Sequence, residues 1–165
     1  MAKRSGRARK PTNLVADLEK IISVCEKRTT AVVRMSVQDV INDAQTPTGK
    51  GGRMRVDTGF LRASGQASLT GMPTGPSRGE LKEKHAYDDG NRPPDPSVEL
   101  SVNTMQPGDK LYFGWTANYA KYRELYDGFL EGAVMNWPDY VAKNTREMVR
   151  LMTVKSANTY QGGSE

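Results

Sequence analysis

The chain is poor in the residues that usually announce chemistry. It has one cysteine and one histidine in 165 residues. A single Cys25 excludes an internal disulfide framework. A single His85 excludes His-rich metal centres and most His-dependent proton relays. No run approaches the ~18 apolar residues that a bilayer-spanning helix needs, so no membrane span is expected. The basic start, MAKRSGRARK, has no apolar stretch behind it, which predicts no secretory signal there. Aromatic residues are missing before Phe60, and acidic residues before Asp17. Hydrophobic residues make up 36%, enough for the core of one modest domain.

Charge is present but unevenly spread. The formal net charge is +5. Lys3, Arg4, Arg7, Arg9 and Lys10 supply all of it, because the remaining 19 positive charges face 19 negative ones. The sequence pI of about 9.3 therefore describes an arm rather than a domain. Residues 1–11 read as a disordered basic arm ended by Pro11, either a solvated tail or an arm that touches phosphate or an acidic protein surface.

Residues 12–155 read as a single α+β domain. The first element is a long helix over 12–44, capped by Thr12 or Asn13. Leu14, Leu18, Ile21, Ile22 and Cys25 recur at three- and four-residue steps, and Val32, Val33, Val37, Val40, Ile41 and Ala44 resume the pattern. A polar stretch, Glu26–Thr30, interrupts it and is a place for a bend. At ~1.5 Å per residue the segment spans roughly 50 Å. A globule of this chain length is only about 40 Å across. An unbroken helix would overhang its own core, and a second chain would then cover the overhang. Cys25 lies on the apolar stripe and reads as a small buried hydrophobe, not a nucleophile.

QTPTGKGGRMRVD, residues 45–57, is a Gly-rich basic loop with Lys50, Arg53 and Arg55, expected to be mobile until it meets a partner. Its lysine is not followed by Ser or Thr and no strand precedes it, so it is not a phosphate loop. Asp57 or Thr58 is placed to cap a short helical turn through Phe60, Leu61 and Arg62. Gln66–Met72 then reads as a strand. Residues 73–97 are a Pro/Gly-rich insertion, also expected to be mobile. Its Asp88, Asp89 and Asp95 lack calcium-loop spacing. VELSVNTM at 98–105 alternates with period two and predicts a half-buried strand. Pro107–Asp109 is a turn, and KLYFGWT at 110–116 a second strand, giving an antiparallel β-hairpin. A short helix near 118–129 and a last helix over 130–155 follow, with Pro138 at a kink or a first turn. Residues 156–165 read as a polar tail. The expected architecture is thus a long N-terminal helix and a C-terminal helix packed on a small antiparallel sheet that contains a hairpin. Seven of the twelve aromatics fall between Tyr112 and Phe129, so the aromatic core belongs there.

No catalytic constellation holds together: there is no nucleophile motif, no HExxH and no CxxC. The chain is read as a non-enzyme, with no cofactor and no metal.

The order of landmarks resembles the neck, or tail-completion, proteins of long-tailed bacteriophages. In that family a DTG-x-L-R-x-S element is followed, after a few strands, by YA-x-x-x-E-x-G and a closing helix. Asp57, Thr58, Gly59, Leu61, Arg62 and Ser64 match the first element. Tyr119, Ala120, Glu124 and Gly128 match the second, with the glycine displaced by a few positions. The resemblance covers roughly residues 12–152. It implies a structural virion protein, assembled in the host cytoplasm as a ring of its own copies, six being the expected number. The ring would join the capsid's connector to the tail around the DNA channel. Neighbouring head-completion and tail proteins would be its partners, and the basic arm would be free to reach packaged DNA; no membrane is involved. A tail terminator, capping the tail tube, is the alternative within the class. A nucleic-acid-binding module using the arm with Lys50, Arg53 and Arg55 is the alternative outside it, and an enzyme with a site invisible in the sequence is the third. Within the family reading, Gly59 permits a tight turn, Asp57 satisfies N–H groups at the next helix start, and Arg62 is placed to bridge to Glu124.

Overall fold

A computed structural model describes residues 13–57, 59–74 and 95–161, with side chains as far as Thr153. The basic arm, Thr58, most of the insertion with His85, Asp88 and Asp89, and the end of the tail lie outside the described residues. The architecture is α+β, with helices dominating. In chain order come α1 (Leu14–Ala44), a 3₁₀ turn (Thr48–Lys50), α2 (Phe60–Ala63) and β1 (Gly65–Ser68). Then follow α3 (Pro96–Thr104), β2 (Tyr112–Trp115), α4 (Ala120–Asp127), α5 (Phe129–Met135) and α6 (Trp137–Gln161).

Helix α1 runs unbroken for 31 residues, continuing through the polar stretch Glu26–Thr30. Asn13 holds the N-cap position, but its side chain makes no capping bond. The core gathers on the carboxyl-terminal part of α1 in two clusters. One joins Ala44 to Met54, Leu61, Ala117, Ala120, Phe129 and Ala133. The other joins Ile41 to Ala67, Val98 and Val102. Trp115 stands edge-on to both Phe113 and Phe129, with ring centroids 4.8 Å apart in each pair. This part of the aromatic core lies where the sequence places it.

Helix α6 packs antiparallel on the same part of α1 through a polar seam. Asn144, 3% exposed, donates to Ser36 Oγ at 3.2 Å and to Asp39 Oδ2 at 2.8 Å. Lys143 pairs with Asp39 at 2.8 Å. The Tyr140 hydroxyl donates to Asp43 Oδ2 at 2.7 Å, and Asn136 adds a second donor to the same oxygen. Burial and this carboxylate both push the Tyr140 hydroxyl above its ordinary pKa. Pro138 lies in the first turn of α6, where its missing N–H costs nothing. The expected last helix is two, α5 and α6, and its backbone continues through residues expected to be tail.

Three expectations about the sheet are corrected. Residues 98–105 are not a strand: α3 occupies them. Asp95 caps its N-terminus by accepting from Ser97 N–H at 2.8 Å, and Pro96 fills the first turn. Burial tends to raise the Asp95 pKa, but hydrogen bonds from Ser97 and Gln66 outweigh it and hold the carboxyl below its ordinary value. There is no hairpin among the described residues. The sheet is β1 against β2, antiparallel, with Gly65 opposite Trp115 and Ser68 opposite Tyr112. The predicted strand at 66–72 is shorter and starts one residue earlier. Ser101 Oγ donates to Ala67 O at 3.1 Å and Ser97 Oγ accepts from Ala67 N–H at 3.2 Å, so α3 docks directly on β1.

Candidate functional site: a corner lined by arginine

The residues of the two motif segments come together at one corner. Gly59 adopts φ 72°, a left-handed conformation that glycine takes without strain, and starts α2. Gly128 does the same at φ 56°, ending α4 and starting α5. Glu124 then caps α5: its two carboxylate oxygens accept from Leu130 N–H and Glu131 N–H, both at 2.9 Å. Those N–H groups have no partner within their own helix, so a carboxylate there is doubly favoured. Ala120 and Leu61 are buried in the first core cluster. Ser64 is buried too; its hydroxyl donates to Leu61 O at 2.7 Å, while its own carbonyl accepts from Thr116.

The link between the segments differs from the one expected. Arg62 and Glu124 form no ion pair among the described residues, because Glu124 is committed to the α5 N-terminus. Tyr119 makes the connection instead. Its ring lies 6.3 Å from that of Phe60, next to the start of α2. Burial, with the negative charge of Asp57, raises its pKa against the opposing pull of Arg123 and Leu61. Asp57 does not cap α2; the cap position is Gly59, with no side-chain bond.

Between the segments lies a cleft of about 760 Å³ lined by Arg55, Asp57, Phe60, Arg62, Tyr119 and Arg123, among others. Arg123 pairs with Asp127 one helical turn along. The Nε of Arg62 is buried without a hydrogen-bond partner among the described residues. Arg55 is exposed and has no ion pair among the described residues. The ion pair of Arg123 with Asp127 was not read in the sequence, although their four-residue spacing is a helical ion-pair signal.

The basic loop is a turn that bonds to itself. Thr48 N–H donates to Met54 O at 3.0 Å, Met54 N–H to Thr46 O at 3.2 Å, and Met54 is fully buried. A side chain at Gly52 would collide with Thr46 O at 2.0 Å, so close backbone approach requires glycine there. Lys50 and Arg53 do not line the cleft. The Arg53 guanidinium lies against Gly132, where a Cβ would come within 0.8 Å of it, and reaches Gly128 O at 3.4 Å.

Two apolar faces lie uncovered among the described residues. Leu14, Val15, Leu18, Ile21 and Ile22 on α1 are each at least 49% exposed. Cys25, expected to be buried, is exposed beside them, because the overhanging helix leaves no core there to receive it. Helix α4 turns Tyr122, Leu125 and Tyr126 outward, at 65%, 75% and 84% exposure. These three share one helix face. Of α4, only Ala120 is buried among the described residues.

No family model, no curated protein and no solved structure matches the chain.

Proposed function

We propose that the protein is a structural subunit of a bacteriophage neck, assembled as a ring of its own copies that joins the capsid's connector to the tail around the DNA channel. The observation that carries this reading is the pair of unlike apolar faces on α1 and α4. A two-fold dimer needs one self-complementary patch. Two different patches on different elements suit a head-to-tail contact, which closes into a ring when the rotation allows. The overhang of α1 gives such a contact a long lever beyond each subunit's core.

The corner adds support of a second kind. Gly59 and Gly128 serve as turn glycines, Glu124 as a helix cap, and Leu61 and Ala120 as core contacts, which are positioning roles. Head-completion and tail proteins would meet the two open sides of the ring, and the basic arm would extend from it. Deleting this chain from the phage genome is expected to leave filled heads and separate tails. Particles that still join heads to tails without it would rule the reading out.

A further inference from the structure

The corner cleft holds more positive charge than its walls neutralise. Three guanidiniums, of Arg55, Arg62 and Arg123, face one carboxylate, Asp57. Arg123 is satisfied by Asp127. Among the described residues Arg62 Nε is buried with no acceptor, a costly state for a charged donor. Arg55 stands free among the described residues. A second basic cleft, between α1, α3 and α6, gives the contrast. There Lys143 is paired with Asp39, Arg150 with Glu147, and Arg34 with the Met105 carbonyl at the end of α3, while Arg146 is exposed to solvent. What sets the corner cleft apart among the described residues is a buried guanidinium nitrogen, Arg62 Nε, with no acceptor.

We propose that the corner cleft is a docking site for a carboxylate-rich segment of a partner protein. Guanidinium forks match carboxylates bidentately, and two of the three here have donors to spare. The volume of about 760 Å³ lies within the usual range of ligand sites, ~300–1,000 Å³. Phe60 and Tyr119 supply an apolar wall for the methylene groups of a glutamate or for the residue beside it. The Asp57 carboxylate on the wall opposes a continuous phosphate backbone but leaves room for single carboxylates between the arginines. A nucleic-acid track would need cations in a line. Arg53, the next arginine along the chain, is instead folded onto α5. This proposal does not depend on the neck reading.

Titration of the full chain with a labelled hexaglutamate peptide, followed by fluorescence anisotropy at low salt, tests it. Saturable binding is expected, weakened roughly tenfold by Arg55→Gln, as the loss of one charge-assisted bond implies. Arg62→Gln is expected to weaken it further. Because Arg55 is an exposed wall residue, Arg55→Gln should keep the native melting temperature, which separates lost binding from lost folding. Replacing Lys3, Arg4 and Arg7 by Gln should leave the affinity unchanged. Absence of saturable binding overturns the proposal. So does full affinity in Arg55→Gln, or loss through the arm substitutions. A short DNA duplex that competes for the cleft at equal charge concentration, with the same dependence on Arg55, would replace a carboxylate site by a phosphate site.

Discussion

The two halves of α1 share one helix and one apolar rhythm, yet they live in different surroundings. From Val32 onward the stripe meets core: Ile41 is 3% exposed and Ala44 fully buried. Before Thr30 the same rhythm meets solvent: Ile21 is 59% and Ile22 56% exposed. The covered half is also fixed in register by polar pairs, Ser36 and Asp39 with Asn144, and Asp43 with Tyr140. Among the described residues the uncovered half shows a surface ion pair, Lys20 with Asp17 at 3.9 Å, which contributes little, and a bond from the Thr30 hydroxyl to its own helix at Glu26 O. Periodicity therefore tells which side of a helix is apolar. Whether that side is covered depends on how far the rest of the chain reaches.

The sharpest way to break this comparison uses the same residue type twice. Ile41→Ala should cost about 2–5 kcal/mol of folding stability, through lost burial and a residual cavity. Ile21→Ala should stay within ~0.5 kcal/mol, as exposed substitutions do. Denaturant unfolding at a concentration where the chain is monomeric measures both. Equal costs would mean that the overhang is covered within the monomer.

A smaller effect sharpens the account of the seam. Asn144→Ala removes two hydrogen bonds and leaves the fully buried Ser36 with only its bond to the Val32 carbonyl at 2.8 Å. A loss of about 1–3 kcal/mol is expected. A change below ~0.5 kcal/mol, the range of exposed sites, would show that the apolar clusters alone hold α6 in place.

The smallest effect concerns α3, which packs Val98 and Val102 against the covered half. Asp95→Ala should cost about 1 kcal/mol at neutral pH. The Asp95 pKa is lowered by folding from its ordinary 3.8, so its contribution is complete above that value. It fades as pH falls through the lower folded value. The stability difference between native chain and variant should therefore shrink in acid; a difference that grows there would reverse the sign of the linkage.

Helix α3 also shows where the sequence was ambiguous. Val98 and Val102 are four apart, a spacing that falls on one face of a strand and of a helix alike. Leu100 distinguishes the two: as a strand residue it would share their burial, but it is 66% exposed. The helix signal was present in Asp95–Pro96 with Glu99 in the first turn, hidden at the end of a proline-rich stretch. The long first helix and the turn glycine Gly59 were legible because local geometry decides them; the break at Gly128 was not read. The pairing of β1 with β2 was not, since it joins strands far apart in sequence. The same holds for the corner: Gly59 and Glu124 could be singled out, but the bridge through Tyr119 and the convergence of Arg55, Arg62 and Arg123 depend on tertiary folding.

The central claim is that the uncovered half of α1 meets α4 of another copy. Two charge insertions test it, Ile22→Asp on the first face and Leu125→Asp on the second. Both chains should fold, because both positions are exposed. At concentrations where the native chain assembles, sedimentation of either variant alone should show monomers. An equimolar mixture should form heterodimers that do not grow, since only one intact pairing of faces remains. Native-size assembly by either variant alone would contradict the head-to-tail account.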